Sequence, residues 1–175
     1  VDGYANQEII KERTRASGRS VCHELQLQGH PGVGKATHFL SWWLGTPLSD
    51  VLTAIEAYEE RNPQSQPRYW WVCDFSFPQN AIKDNPTLAE ELKVDGLRSL
   101  VRDIGHTVML LDPWDDPATL KRIWCLWELL QTQQVGARFE VAMSEAQASR
   151  FVEALEEDFA SIATALSRVD VRSAT

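Results

Sequence analysis

The chain has 175 residues, 43% hydrophobic and 24% charged, with a net charge of −8; that reads as one ordinary globular domain with room for a core. The acidic surplus disfavours nucleic acid as a partner, and no apolar run approaches the roughly 18 residues of a membrane span. Three widely spaced cysteines, Cys22, Cys73 and Cys125, fit neither a disulfide framework nor a zinc site, which favours a reducing, cytoplasmic setting.

The chain begins with Val1 rather than Met, so it reads as a piece of a longer protein. Residues 1–32 are polar and mixed and are expected to form an N-terminal extension or linker, with Glu24 to Gln28 alternating like a short strand. Gly29, Gly34 and Lys35 have the spacing of a phosphate-cradling P-loop. The position after the lysine, where Mg²⁺ needs a hydroxyl, is Ala36. The polar stretch before the loop is unlike a central strand, and no helical period follows it. Gly32 and Gly34 are better read as a turn feeding a strand at Thr37–Trp43.

An alternating series of elements follows. Thr46 and Pro47 suit a helix start, and Leu48, Val51, Leu52, Ile55 and Tyr58 recur at helical spacing. Tyr69–Phe75 is a nearly continuous apolar run, expected as a strand covered on both faces. After an irregular loop, Leu88, Leu92, Leu97, Leu100, Val101 and Ile104 form an amphipathic helix closed by Gly105. Thr107–Leu111 is a third strand. Asp116 and Pro117 open a helix expected to run to Gly136, and Phe139–Met143 is a fourth strand. Ser144 and Gln147 suggest a capping box on the last helix, lined by Phe151, Leu155, Phe159, Ile162 and Leu166. This order implies an α/β fold: a flavodoxin-like parallel sheet of four to five strands with helices on both faces. Ligands in such folds sit beyond the carboxyl ends of the strands.

One acid stands out. Glu128 lies within "RIWCLWELL", Arg122 to Leu130, and shares a helical face with Trp124 and Cys125. A carboxylate held against indole rings is costly unless paired, exposed or protonated, and so is a candidate acid of raised pKa. The plainer reading is a solvent-exposed edge or a pair with Lys121 or Arg122. Trp70, Trp71 and Trp127 read as core, His38 and His106 as structural, and Asp115 and Asp116 as a turn and cap.

"WCLWEL" resembles the W-C-x-x-E-L motif in the third helix of TIR domains, the Toll/interleukin-receptor/resistance-protein family. "HFLSWW" resembles that family's first-strand pattern. The ordered set "VGKATHFLSWWL", "RYWWVCDFSFPQN", "IGHTVMLLDPWDDPATLKRIWCLWEL" and "FEVAMS" is most similar to the TIR-like module that precedes tetratricopeptide arrays in some protist and invertebrate proteins. The resemblance implies a TIR-like domain over residues 33–175. It also implies cleavage of NAD⁺ at the nicotinamide–ribose bond, with Glu128 catalytic and NAD⁺ as substrate rather than cofactor. The implied substrate-binding set is Ser41, Trp42, Trp43, Asp112, Trp114, Trp124 and Cys125. Trp124 would stack near the nicotinamide, Ser41 and Trp42 would border the nucleotide, and Asp112, Pro113 and Trp114 would form the rim. Asp74, Phe75, Ser76, Phe77, Pro78, Gln79 and Asn80 would form the loop used for self-association, with flanking tetratricopeptide repeats as partners in the same chain. No metal is implied. Two alternatives stay open: a self-association module without turnover, and a P-loop triphosphatase.

Overall fold

The computed structural model describes residues 1–84 and 96–167. In chain order the elements are α1 (Gly3–Arg13), α2 (Val21–Leu27), β1 (His38–Ser41), α3 (Leu48–Arg61), β2 (Trp70–Trp71), α4 (Cys73–Ser76) and α5 (Gln79–Asp84). They continue with α6 (Leu97–Ile104), β3 (His106–Leu110), a 3₁₀ turn (Ala118–Lys121), α7 (Ile123–Gln134), β4 (Arg138–Ala142), α8 (Glu145–Glu157) and α9 (Phe159–Ser167). The four strands are all parallel, in the order β2-β1-β3-β4. This is an α/β, flavodoxin-like arrangement, at the lower of the expected strand counts. Chain direction along the sheet reverses between β1 and β3, which makes their carboxyl ends the natural crevice.

Strand alternation decides what each face meets. Leu40, Trp42, Val108 and Leu110 pack with Val51, Ala54 and Tyr58 of α3 and with Ala142. Phe39 packs on the other side with Leu97 and Val101 of α6, joined by Trp127 and Val135. Helices therefore cover both faces. Ser41, two residues after Phe39, points to the side covered by α6 and α7. Gly105, left-handed at φ 74°, closes α6 as expected, while Leu88 and Leu92 lie outside the described residues.

Several elements differ from the sequence reading. Residues 24–28 form no strand; they belong to α2 and its C-cap, with Ser20 Oγ accepting from His23 N at the start of the helix. The run Tyr69–Phe75 supplies only a two-residue edge strand before turning into α4. An edge strand has a ladder on one side only, and Asp74 takes its hydrogen bonds from α1 instead. The expected continuous helix from Pro117 is broken at Arg122, whose backbone is extended at φ −102°, ψ 121°. Leu52 on α3 is 58% exposed, while Ala54 and Ala57 take the buried positions. The capping box does not form: Ser144 makes no side-chain cap, and Gln147 Oε1 accepts from Trp114 N at 3.3 Å.

Candidate functional site at the carboxyl end of the sheet

Glu128 projects from the buried face of α7, one turn after Cys125, and is 8% exposed. Ser41 Oγ, at the end of β1, donates to Glu128 Oε2 at 2.5 Å. Burial raises the Glu128 pKa to about 8, and the Ser41 hydrogen bond only partly offsets it. At neutral pH the group is mostly the neutral acid. Glu128 makes no ion pair among the described residues: Lys121 pairs with Asp116 at 2.6 Å. Of the two partners foreseen on the plainer reading, Lys121 is thus engaged elsewhere.

Cys125 Sγ donates to the Trp42 carbonyl at 3.5 Å. Burial, then the nearby Glu128, pushes its thiol up to about 12, so it is not a thiolate nucleophile. One turn beyond the acid, Thr132 Oγ1 lies 2.8 Å from the Glu128 carbonyl oxygen and 2.9 Å from Thr107 Oγ1. A polar seam thus runs between α7 and the sheet: Ser41–Glu128, then Thr132–Thr107. Sequence reasoning missed the two threonines; their signal was only that Thr132 stands four residues after Glu128.

The other expected binding residues are placed differently. Trp42 is in the core, 5% exposed, on the face opposite Ser41. Trp124 is 45% exposed and stacks on Trp127 at 5.8 Å. Trp43 is half-buried and folds over Gly45. Asp112 accepts from Ser144 N at 3.1 Å, and Trp114 meets Phe151 edge-on at 5.3 Å. The indole nitrogens of Trp42, Trp43 and Trp114 are buried without a hydrogen-bond partner among the described residues. The structure therefore gathers Ser41, the Trp42 carbonyl, Cys125 and Glu128 into one cluster. Trp43, Asp112 and Trp114 stand on the loops around it, and Trp124 faces solvent.

Helix α1 lies across this end of the sheet. Gly3 N donates to Leu44 O at 2.6 Å, and Leu48 N donates to Val1 O at 2.9 Å. Further along, Asn6 Nδ2 and Gln7 Nε2 donate to the two oxygens of Asp74 at 3.1 and 2.9 Å. Asn80 Nδ2 donates to Lys11 O at 3.0 Å. The segments after β1 and β2 are thus tied to one helix. Asp74 is fully buried and Gln79 nearly so. The stretch Asp74–Asn80, expected as the self-association loop, contains parts of two short helical segments fastened beneath α1. Phe77 packs edge-on against Trp71 at 5.1 Å.

Among the described residues, no group of three or more His, Cys, Asp or Glu side chains is arranged to hold a metal. No described helix is long and apolar enough to cross a membrane. Cys22, Cys73 and Cys125 are all free thiols. Compared with family models, curated proteins and solved structures, the chain matches none of them.

Proposed function

We propose that this domain hydrolyses the nicotinamide–ribose bond of NAD⁺, with Glu128 as the catalytic carboxyl, in a cytoplasmic signalling or defence protein that is switched on by self-association. The observation that carries this reading is Glu128: a buried acid on α7, without an ion pair among the described residues, hydrogen-bonded to Ser41 at the end of a central strand beside the sheet's crossover point. Raising the carboxyl's pKa from 4.5 to about 8 means that the site, compared with water, favours the protonated form by several kcal/mol, at about 1.4 kcal/mol per tenfold change. No ion pair among the described residues accounts for an acid at that position, and perturbed acids of this kind cluster at functional sites.

The chemistry fits a carboxylate. Nicotinamide leaves neutral with the electrons of the C–N bond, and C1′ of the ribose becomes oxocarbenium-like. A water oxygen then bonds to C1′ and releases a proton. An ionised Glu128 would stabilise the developing charge or orient the ribose hydroxyls. In the closed arrangement the group is protonated at neutral pH and α1 covers the strand ends, so this arrangement is the resting one. Association that loosens α1 or Asp74–Asn80 would admit water, lower the Glu128 pKa and open the site to substrate.

Nicotinamide release from NAD⁺, measured at high protein concentration beside Glu128→Gln, tests the reading. Turnover in the parent and a loss of at least about a hundredfold in the variant is expected. Equal turnover in both would discard Glu128 as the catalytic group. One observation favours the second reading, an association module without turnover: Trp42 occupies the core instead of lining a cleft. Folded, self-associating protein that releases no nicotinamide would establish that reading.

A further inference from the structure

The glycine- and lysine-containing turn before β1 has no part in the Glu128 cluster, and it borders a separate cleft of about 590 Å³. The wall of the cleft is α2, its rim is residues 32–36, and its floor is Tyr69 with the two tryptophans of β2. The cleft lies beside the edge strand β2 and is bordered by the segments that lead into β1 and β2, whereas Glu128 meets the carboxyl end of β1. Its volume is that of a site for a small organic molecule.

The lining is one-signed. His23, Lys35 and Arg68 border the cleft and no carboxylate does, although the chain carries eight more acids than bases. Of the acids on the neighbouring elements, Glu24 accepts from the Ser17 hydroxyl, and Glu59 accepts from Nε1 of the floor residue Trp70 at 2.7 Å. Arg68 adds field rather than contact, because its guanidinium sits 5.5 Å over the Tyr58 ring and donates to Asn62 O. Lys35 is exposed and has no ion pair or hydrogen bond among the described residues. The backbone N–H groups of Gly34, Lys35 and Ala36 likewise donate to no described residue, whereas Thr37 N is taken by Tyr69 O at 2.8 Å.

Three consecutive amides without an acceptor among the described residues, beside an ammonium group, leave hydrogen-bond donors available to an anion. The turn is held in place rather than loose. Gly34 packs against the Tyr69 ring, where a Cβ would come within 2.7 Å of Cζ, so a larger residue would require the ring to shift. Thr37 Oγ1 also accepts from Tyr69 N at 2.9 Å. No helix starts at Lys35, so this is not the helix-terminus site of a triphosphatase.

We propose that this edge cleft binds a small phosphate monoester, with the phosphoryl oxygens on Lys35 and the Gly34–Ala36 amides and the organic group against Tyr69 and Trp70. The site is distinct from Glu128 and stands whether or not the domain cleaves NAD⁺. The probe is phenyl phosphate, titrated into the intact chain and followed by amide and indole NMR, with phenol as the uncharged control and Lys35→Glu as the variant. Saturable shifts confined to residues 32–36, His23 and β2 are expected. Affinity should fall by about tenfold or more in Lys35→Glu and weaken with added salt. Lys35 is exposed, so the variant should keep its fold, checked by its unperturbed amide spectrum away from the turn. Phenol binding as tightly as phenyl phosphate, an unchanged affinity in Lys35→Glu, or shifts that never saturate would each overturn the proposal.

Discussion

Two buried titratable residues pull stability in opposite directions with pH. Glu128 has its folded pKa raised from 4.5 to about 8, so the native state holds the extra proton between those values. Stability therefore falls as pH rises through that window, by up to about 1.4 kcal/mol per pH unit. His38 is the reverse case. It stacks between Trp70 and His106, with ring centroids at 5.0 and 4.3 Å, and faces Tyr58 edge-on. Burial first, then His106, Arg68 and Arg138, lower its pKa from 6.5 to about 4 against the opposing pull of Glu140. The His106 pKa is lowered too, again by burial first. Below pH 6.5 the unfolded chain gains these protons first, so stability is lost on acidification toward pH 4. From pH 6.5 to 8 only Glu128 acts, and denaturant unfolding should show a loss of roughly 1.5–2 kcal/mol. Glu128→Gln should flatten that limb and expose the acid-side loss that Glu128 otherwise offsets; an alkaline limb unchanged by the substitution would show that Glu128 titrates elsewhere. Glu128 was legible in the sequence as an acid inside an apolar run. The same signal marked Asp74 in "YWWVCDF", but its partners Asn6 and Gln7 are 68 and 67 positions away, beyond the reach of any local pattern.

The N-terminal helix is the element whose place was least foreseeable. Asp2 caps it, accepting from Ala5 N at 2.9 Å, yet its apolar positions are few and Ile10 is its buried hydrophobic contact. Sparse amphipathicity made residues 1–32 read as linker. Polar latches hold it down instead: Asn6 and Gln7 on Asp74, and Asn80 on Lys11 O and on Thr14 Oγ1 at 3.1 Å. Removing the acceptor leaves the buried Asn6 amide and the half-buried Gln7 amide without it. Asp74→Ala is accordingly expected to cost about 1–3 kcal/mol. Hydrogen exchange should speed up selectively across Gly3–Arg13 and the Asp74–Asn80 segment. Uniform acceleration over the whole domain would argue against a separable latch. By contrast, α3 and α6 were readable in advance because each turns a continuous apolar stripe to one face of the sheet. The break at Arg122 was not, because the apolar period of α7 continues past it into the 3₁₀ turn.

Taken together, the parallel order β2-β1-β3-β4 puts Ser41 and the loops after β1, β2 and β3 at one end of the molecule, and α1 across that end. Under the proposed activity, closure at this end links assembly to turnover. Nicotinamide release per molecule should rise with protein concentration, and Asp74→Ala should lower the concentration needed by loosening the cover. Turnover independent of concentration would separate the chemistry from assembly. Composition and the alternation of short apolar strands with amphipathic helices sufficed for the α/β class and the helices on both faces, and the acid at 128 stood out as a candidate because it lies inside an apolar run. These are local properties, because period two and period 3.6 report which side of an element avoids water. Folding in space decided the rest. β2 shrank to an edge strand because only one neighbour pairs with it, and Trp42 went into the core because it falls on the side covered by α3. Ser41, on the opposite side, met Glu128 across 87 positions of chain. Those outcomes depend on which surfaces the other elements cover, and that is a property of the docked assembly of helices and strands rather than of any one stretch of residues.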